Sequence, residues 1–148
     1  MVETRVLRAR PERVWAVVGD FGNEHRWVST LAHCRRSTTD VRVGTVRSCR
    51  LERPLMGRSS VDEELTEYQP GVMLAYRLLG AAGPFRSSEG RWWLRPGRDG
   101  TTAVEVAGRF TPRNVVIGFL FGRLARLVAR RAARHTLDDL AAAVEAVT

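Results

Sequence analysis

Lysine is missing altogether. All 24 basic residues of this 148-residue chain are arginine, against 16 acidic ones, which leaves a net charge of +8. That excess invites a nucleic-acid reading, but the arginines are scattered rather than gathered with aromatics on one face. A lysine-free chain rich in arginine and alanine is also what GC-rich codons produce. A generally cationic surface is expected, with no nucleic-acid partner. Cysteine is nearly absent: Cys34 and Cys49 are too few for a disulfide framework, and two free thiols in a reducing compartment are expected. The three histidines, His25, His33 and His135, lie far apart and show no metal-ligand spacing, so no metal is expected. There is no G-x-S-x-G, no phosphate loop and no dinucleotide fingerprint. Gly19 to Gly22 reads as a helix end, and Gly80 to Gly83, before Pro84, as a hairpin turn. Nucleophilic hydrolysis and nucleotide use are thereby set aside, and no cofactor is expected.

Long hydrophobic runs are missing too. The most apolar stretch, Val115 to Phe121, meets Arg123 and Arg126 well short of the ~20 residues a spanning helix needs. The opening Met1-Val2-Glu3-Thr4-Arg5 has no apolar core of a secretory signal, so a cytoplasmic protein is expected. No Pro/Ser linker, internal repeat or low-complexity tract divides the chain. Its length suits one domain spanning residues 1–148, which would bury roughly 70% of the unfolded chain's surface.

What is present begins with a short helix within Ala9 to Phe21, entered from an N-terminal strand. Pro11 stands where a missing N–H costs nothing, Glu12 suits the positive helix end, Gly19-Asp20 is a stop, and Val14, Val17 and Val18 share a face. From there to Pro112 the chain reads as strands, and an Ala/Leu/Arg-rich helix follows. The order strand, helix, antiparallel strands, long helix is that of an α+β protein in which a curved sheet on one helix leaves a hollow.

The stretch from Ala9 to Phe21, with Trp27 six residues on, resembles the SRPBCC superfamily of START-like helix-grip proteins, in particular its polyketide cyclase/dehydrase and lipid transport branch. Gly44-Thr45-Val46-Arg47, Glu63-Glu64-Leu65, Leu74-Ala75-Tyr76-Arg77 and Phe110-Thr111-Pro112 continue that likeness in the same order. The resemblance implies a helix-grip fold: a curved antiparallel β-sheet around a long C-terminal helix, with two short helices after the first strand. It also implies an apolar small-molecule ligand such as a lipid, polyketide or isoprenoid-like compound. It names no reaction, because the superfamily holds carriers, receptors and enzymes.

Period-two alternation separates the faces of the strands. Val61, Glu63 and Leu65 point inward and Asp62, Glu64 and Thr66 outward. Leu74 and Tyr76 point inward, as do Ser88, Gly90, Trp92 and Leu94, while Arg91, Trp93 and Arg95 point outward. Val104, Val106, Gly108 and Phe110 complete the inner set. Among these mostly apolar positions Arg47, Cys49, Glu63, Tyr76 and Ser88 are polar exceptions. A turn centred on Leu55 pairs Arg47 with Glu63 and Cys49 with Val61, and a turn at Gln69-Pro70 pairs Glu63 with Tyr76. The Arg47, Glu63, Tyr76 trio admits three readings: a satisfied polar network in a core, the polar end of a ligand cavity, or an acid/base group with Arg47 stabilising an enolate. The expected lining is Trp27, Leu31, Arg47, Cys49, Glu63, Leu65, Leu74, Tyr76, Trp92, Val106 and Phe110, with Leu120 and Leu124 from the last helix.

Carriage of an apolar ligand is the leading functional expectation. A polyketide aromatase/cyclase or dehydratase using the same cavity is the alternative, and a regulatory module acting through a partner is a third. On the last helix Ile117, Leu120, Phe121, Leu124, Leu127 and Val128 share one face, whereas Ala133, Leu137, Leu140, Val144 and Val147 lie roughly opposite. A break or kink between Val128 and His135 is expected, or else a first stripe that serves as cavity lid, dimer contact or membrane contact beside Arg123, Arg126, Arg130, Arg131 and Arg134.

Overall fold

The computed structural model describes residues 1–55, 57–80 and 83–145. Seven strands, β1 (Val2–Leu7), β2 (Leu31–Arg36), β3 (Val46–Leu55), β4 (Arg58–Gln69), β5 (Met73–Leu78), β6 (Phe85–Pro96) and β7 (Thr102–Pro112), form one antiparallel sheet in the order β1-β7-β6-β5-β4-β3-β2. Six of them run as a meander, and β1 joins the far edge beside β7. Helix α1 (Pro11–Val18) and a 3₁₀ turn (Glu24–Arg26) connect β1 to β2, and the 31-residue helix α2 (Val115–Glu145) follows β7. This is the α+β helix-grip architecture that the motif order implies.

Local chemistry accounts for the short connection. Pro11 opens α1 with Glu12 in the first turn, and Val14 and Val18 are buried. The helix ends at Gly19, where a Cβ would lie 2.5 Å from the Trp15 indole, so only glycine lets Trp15 fold back over the helix end. The core beneath unites Leu7, Val14, Val18, Phe21, Leu65, Leu74, Trp92, Leu94, Val104 and Val106 with Ala133, Leu137, Leu140, Ala141 and Val144 of α2. Outside the sheet, Trp93 lies under the guanidinium groups of Arg91 and Arg95, at 5.9 and 5.7 Å.

The β3/β4 register pairs Arg47 with Glu63 and Cys49 with Val61 as expected. The β4/β5 register differs: Glu63 stands opposite Leu78, and Tyr76 opposite Leu65. The turn after Gln69 is longer than Gln69-Pro70 alone, and a bulge at Thr66 takes up one extra residue. Because the shift at Tyr76 is two residues, the phenol keeps the inner face. Beyond the bulge the parity changes, which packs Tyr68 against the core and against Trp15, ring centroids 5.7 Å apart.

Of the two alternatives for the last helix the break does not occur, α2 being one continuous helix, and the first stripe is left exposed instead. Its inward line runs Gly118, Gly122, Ala125, Ala129, Ala132/Ala133, Thr136/Leu137, Leu140, Val144, so residue size changes along one side of it. Val147 lies outside the described residues, as do Met56, Ala81 and Ala82 in the expected turns. No described helix is long and apolar enough to cross a membrane.

Candidate ligand-binding site

Strand parity carries Arg47 inward from β3, and two carboxylates close on it. Its Nη1 donates to Glu24 Oε1 at 2.6 Å, its Nε donates to Glu63 Oε1 at 3.1 Å, and its Nη2 stands 3.0 Å from that same oxygen. The guanidinium carbon lies over the rings of Phe21 and Tyr76, 4.4 and 4.3 Å from their centroids. Both oxygens of Glu24 accept from Gly22 N–H, so this carboxylate is fully engaged. Glu63 Oε2, by contrast, accepts no hydrogen bond among the described residues. Burial by itself would lower the Arg47 pKa, but the charges of Glu24 and then Glu63 outweigh it and hold the group above the ordinary arginine value. Burial, followed by the Glu63 charge, raises the pKa of Tyr76 and keeps its hydroxyl protonated.

The phenol has room because its cross-strand neighbour is Gly90, where a Cβ would lie 2.4 Å from the Tyr76 ring. Around this group two hollows meet. One, of about 150 Å³, lies against Trp27, Leu31, Arg47, Cys49, Leu74 and Val61; the other, of about 230 Å³, lies against Ser88, Val106, Phe110 and Ala129. Glu63, Tyr76, Trp92 and Thr136 belong to both. A third, of about 350 Å³, shares Met1, Gly108 and Phe110 with the second and continues past Phe85 and Pro112 under Gly118, Gly122 and Ala125. A larger depression around Ala75 and Ala107 borders Tyr76 and Gly90, and another lies beside Arg10 and Asp99, away from the Arg47 group.

The series exists because α2 turns small residues to the sheet: Gly118, Gly122, Ala125, Ala129, Ala132 and Thr136 recur at spacings of four and three. A helix so lined cannot fill the space above Gly90, Gly108 and Ser88. The indole of Trp27 meets Trp92 edge-on, centroids 5.9 Å apart, and its buried Nε1–H has no hydrogen-bond acceptor among the described residues. An unpaired donor in the wall of a hollow costs roughly 1–3 kcal/mol unless something accepts from it.

Of the expected lining, Trp27, Leu31, Arg47, Cys49, Glu63, Leu74, Tyr76 and Trp92 surround the first hollow, and Val106 and Phe110 the second. Leu65 is fully buried in the core and lines neither. Leu120 and Leu124 are 62% and 57% exposed, because the Gly/Ala face of α2, not its Leu face, turns inward. The trio converges on Arg47 as expected, but through the diagonal of the shifted register, with Glu24 as its closest partner.

Cys34 and Cys49 are not free thiols. They face each other on β2 and β3 with Cα atoms 4.1 Å apart and form a disulfide, which removes the thiol argument for a reducing compartment. His25 and His33, distant in sequence, stack with ring centroids 5.0 Å apart, and His25 Nδ1 accepts from Cys34 N–H. Glu24, Cys34 and Cys49 bring potential metal-ligating atoms within 4.8 Å of one another, yet the sulfurs are bonded together and Glu24 is held by Arg47 and Gly22. Ser29, His135 and Asp139 also converge. There the serine hydroxyl donates to Asp139 at 2.8 Å, and its oxygen lies 3.0 Å from His135 Nε2.

The family model for polyketide cyclase/dehydrase and lipid transport proteins matches residues 1–145. The chain belongs to that family. No curated protein matches the sequence. Among solved structures, the Zhui aromatase/cyclase of Streptomyces sp. R1128 is similar at a TM-score of 0.80 and 15% identity, over 98% of this chain and 92% of that one. A protein of Thermus thermophilus is similar at 0.77 and 19%, over 100% and 98%. A START superfamily protein of Mycobacterium smegmatis is similar at 0.76 and 18%, also over 100% and 98%. At these identities the likeness is one of fold.

Two parts of the site escaped the sequence reading. Glu24 is the lone acid between Asp20 and Asp40, a signal that gains meaning only when the turn swings it under β3. The Gly/Ala row of α2 is legible as a 4-3-4-3-4 spacing, but it is hidden behind the stronger signal of the large apolar residues.

Proposed function

We propose that this protein binds and carries an elongated apolar small molecule between sheet and α2, with a hydrogen-bond acceptor at the molecule's buried end. The single observation behind this reading is the run of adjoining hollows from the Arg47 group to Gly118, roofed by Gly and Ala where a helix closing a core would carry Leu. A site of about 300 Å³ or more is the ordinary size for a small-molecule ligand; the third hollow reaches it alone, and the two beside the Arg47 group reach it only together. Trp27 Nε1–H offers the ligand a donor, and Arg47 and the Tyr76 hydroxyl add polarity at the same end. Family membership supports the class of guest, a lipid or polyketide-like compound, without naming it.

The test is native mass spectrometry of freshly purified protein, with solvent extraction of whatever co-purifies. An extractable apolar compound, and its loss in Ala129→Phe, which fills the second hollow from the roof, are expected. Failure of the wild type to bind any apolar compound saturably, or identical loading of Ala129→Phe, would remove the reading.

One observation favours catalysis as a second reading: the unengaged Glu63 Oε2 beside a protonated Tyr76 and a permanently charged Arg47. A carboxylate base with two donors beside it suits proton abstraction next to a carbonyl, as an aromatase/cyclase-type or dehydratase-type reaction requires. Turnover of a poly-β-keto thioester that is lost in Glu63→Gln while the ligand still binds would favour it over carriage.

A further inference from the structure

The first half of α2 presents three distinct sides. The Gly/Ala row faces the hollow. At about 100° per residue, Val116, Leu120, Leu124 and Leu127 fall on the side away from the sheet with Arg131 at their C-terminal end, and Val128 and the half-buried Ile117 fall at its edge. Arg123, Arg126 and Arg130 fall on the flank between that side and the Gly/Ala row, next to Phe119, which is 87% exposed. Leu120, Leu124, Leu127 and Val128 are each more than half exposed, a contiguous apolar surface of the kind that a monomer rarely leaves bare. From Val115 to Leu137 there is no acidic residue at all. Arg130 and Arg134 reach Glu3, at 3.9 and 3.2 Å, whereas Arg123, Arg126 and Arg131 meet no carboxylate among the described residues. Asn114 caps the helix start by accepting Ile117 N–H at 2.9 Å, so the exposed segment is a formed helix to its first turn.

We propose that this half of α2 docks the protein on an anionic lipid surface. An apolar side with an adjoining unneutralised arginine flank is the pattern of a helix lying in the membrane interface. There the leucines enter the acyl boundary and the guanidinium groups meet phosphate headgroups. The same half of α2 in a second copy, Val115 to Leu137, supplies no acidic partner for the arginine flank, so charge complementarity selects the anionic lipid. The third hollow lies under the same two turns, between Gly118, Gly122 and Arg126, which places a ligand's route beside the docked face. That connection rests on the carrier reading, but the docking does not.

Flotation with phosphatidylcholine vesicles, with and without phosphatidylglycerol, tests it. Binding is expected only with phosphatidylglycerol and weakens as salt rises. It falls about fivefold in each of Arg123→Gln and Arg126→Gln, and it is abolished in Leu120→Asp/Leu127→Asp. Because these side chains are exposed, the thermal melt of each variant matches wild type, and Leu120→Asp/Leu127→Asp still carries ligand where Ala129→Phe does not. Indifference to phosphatidylglycerol, or a dimer in sedimentation that Leu120→Asp/Leu127→Asp dissolves, would overturn the proposal.

Discussion

The two halves of α2 belong to one continuous helix and face the same sheet, yet they do opposite things. From Ala133 to Val144 the inward residues are mostly large, and Leu137, Leu140 and Val144 seal the core over β1, β7 and α1. From Gly118 to Ala132 they are glycine and alanine, and the space they leave is the site. The large apolar residues of this first half point to solvent instead. Apolar content along a helix therefore does not say which side is inside; side-chain volume facing the sheet decides between sealing and roofing.

The sharpest test of that contrast sits where the sealed half meets the polar end of the site. Arg47→Ala strands Glu24 and Glu63 and should lower stability by roughly 3–5 kcal/mol in urea unfolding, Glu24 being the more buried partner. A melt equal to wild type would mean that water reaches this end as freely as the other. Within the helix, Leu140→Ala should cost roughly 2–5 kcal/mol because Leu140 is fully buried. Leu127→Ala, at 66% exposure, should stay within about 0.5 kcal/mol. Equal effects in the same assay would erase the difference between the two halves.

Smaller effects refine the floor of the site. Gly90→Ala pushes a methyl into the Tyr76 ring and should cost roughly 1–3 kcal/mol, with a changed near-ultraviolet dichroism as the phenol moves off Arg47. Tyr76 itself should give the smallest signal. Burial raises its pKa in the folded chain above the unfolded value of about 10, so its neutral form adds stability below that pH. The contribution is lost as pH climbs through the raised value. Tyr76→Phe should flatten the alkaline fall in stability, and an unchanged profile would show the phenol to be solvated.

Much of this was legible in the chain. Alternation in β4, β6 and β7 identified the inner face, since one misplaced step would drive Glu64 or Glu105 into the core. The turn centred on Leu55 set Arg47 opposite Glu63. The β4/β5 register was legible in part: the turn centres on Pro70-Gly71, where Gly71 has φ +79° and Val72 N–H donates to Gln69 C=O, a Pro-Gly signal that sets Leu65 opposite Tyr76, whereas the bulge at Thr66 has no such mark. The disulfide was not legible: fifteen residues separate Cys34 from Cys49, and only the pairing of β2 with β3 sets them face to face.

By itself, then, the sequence determined the order of elements, the face each strand turns inward and the family, because alternation, caps and motif order are local and survive any detail of packing. The tertiary structure alone decided that Glu24 is the closest partner of Arg47 and that Trp27 ends with an unpaired donor. It decided too that the Gly/Ala side of α2, rather than its Leu side, roofs the site. Each of these depends on how distant segments divide a fixed volume. A helix with two apolar sides can turn either one inward, and the outcome follows from which side lets Leu137, Leu140 and Val144 reach the core at the far end.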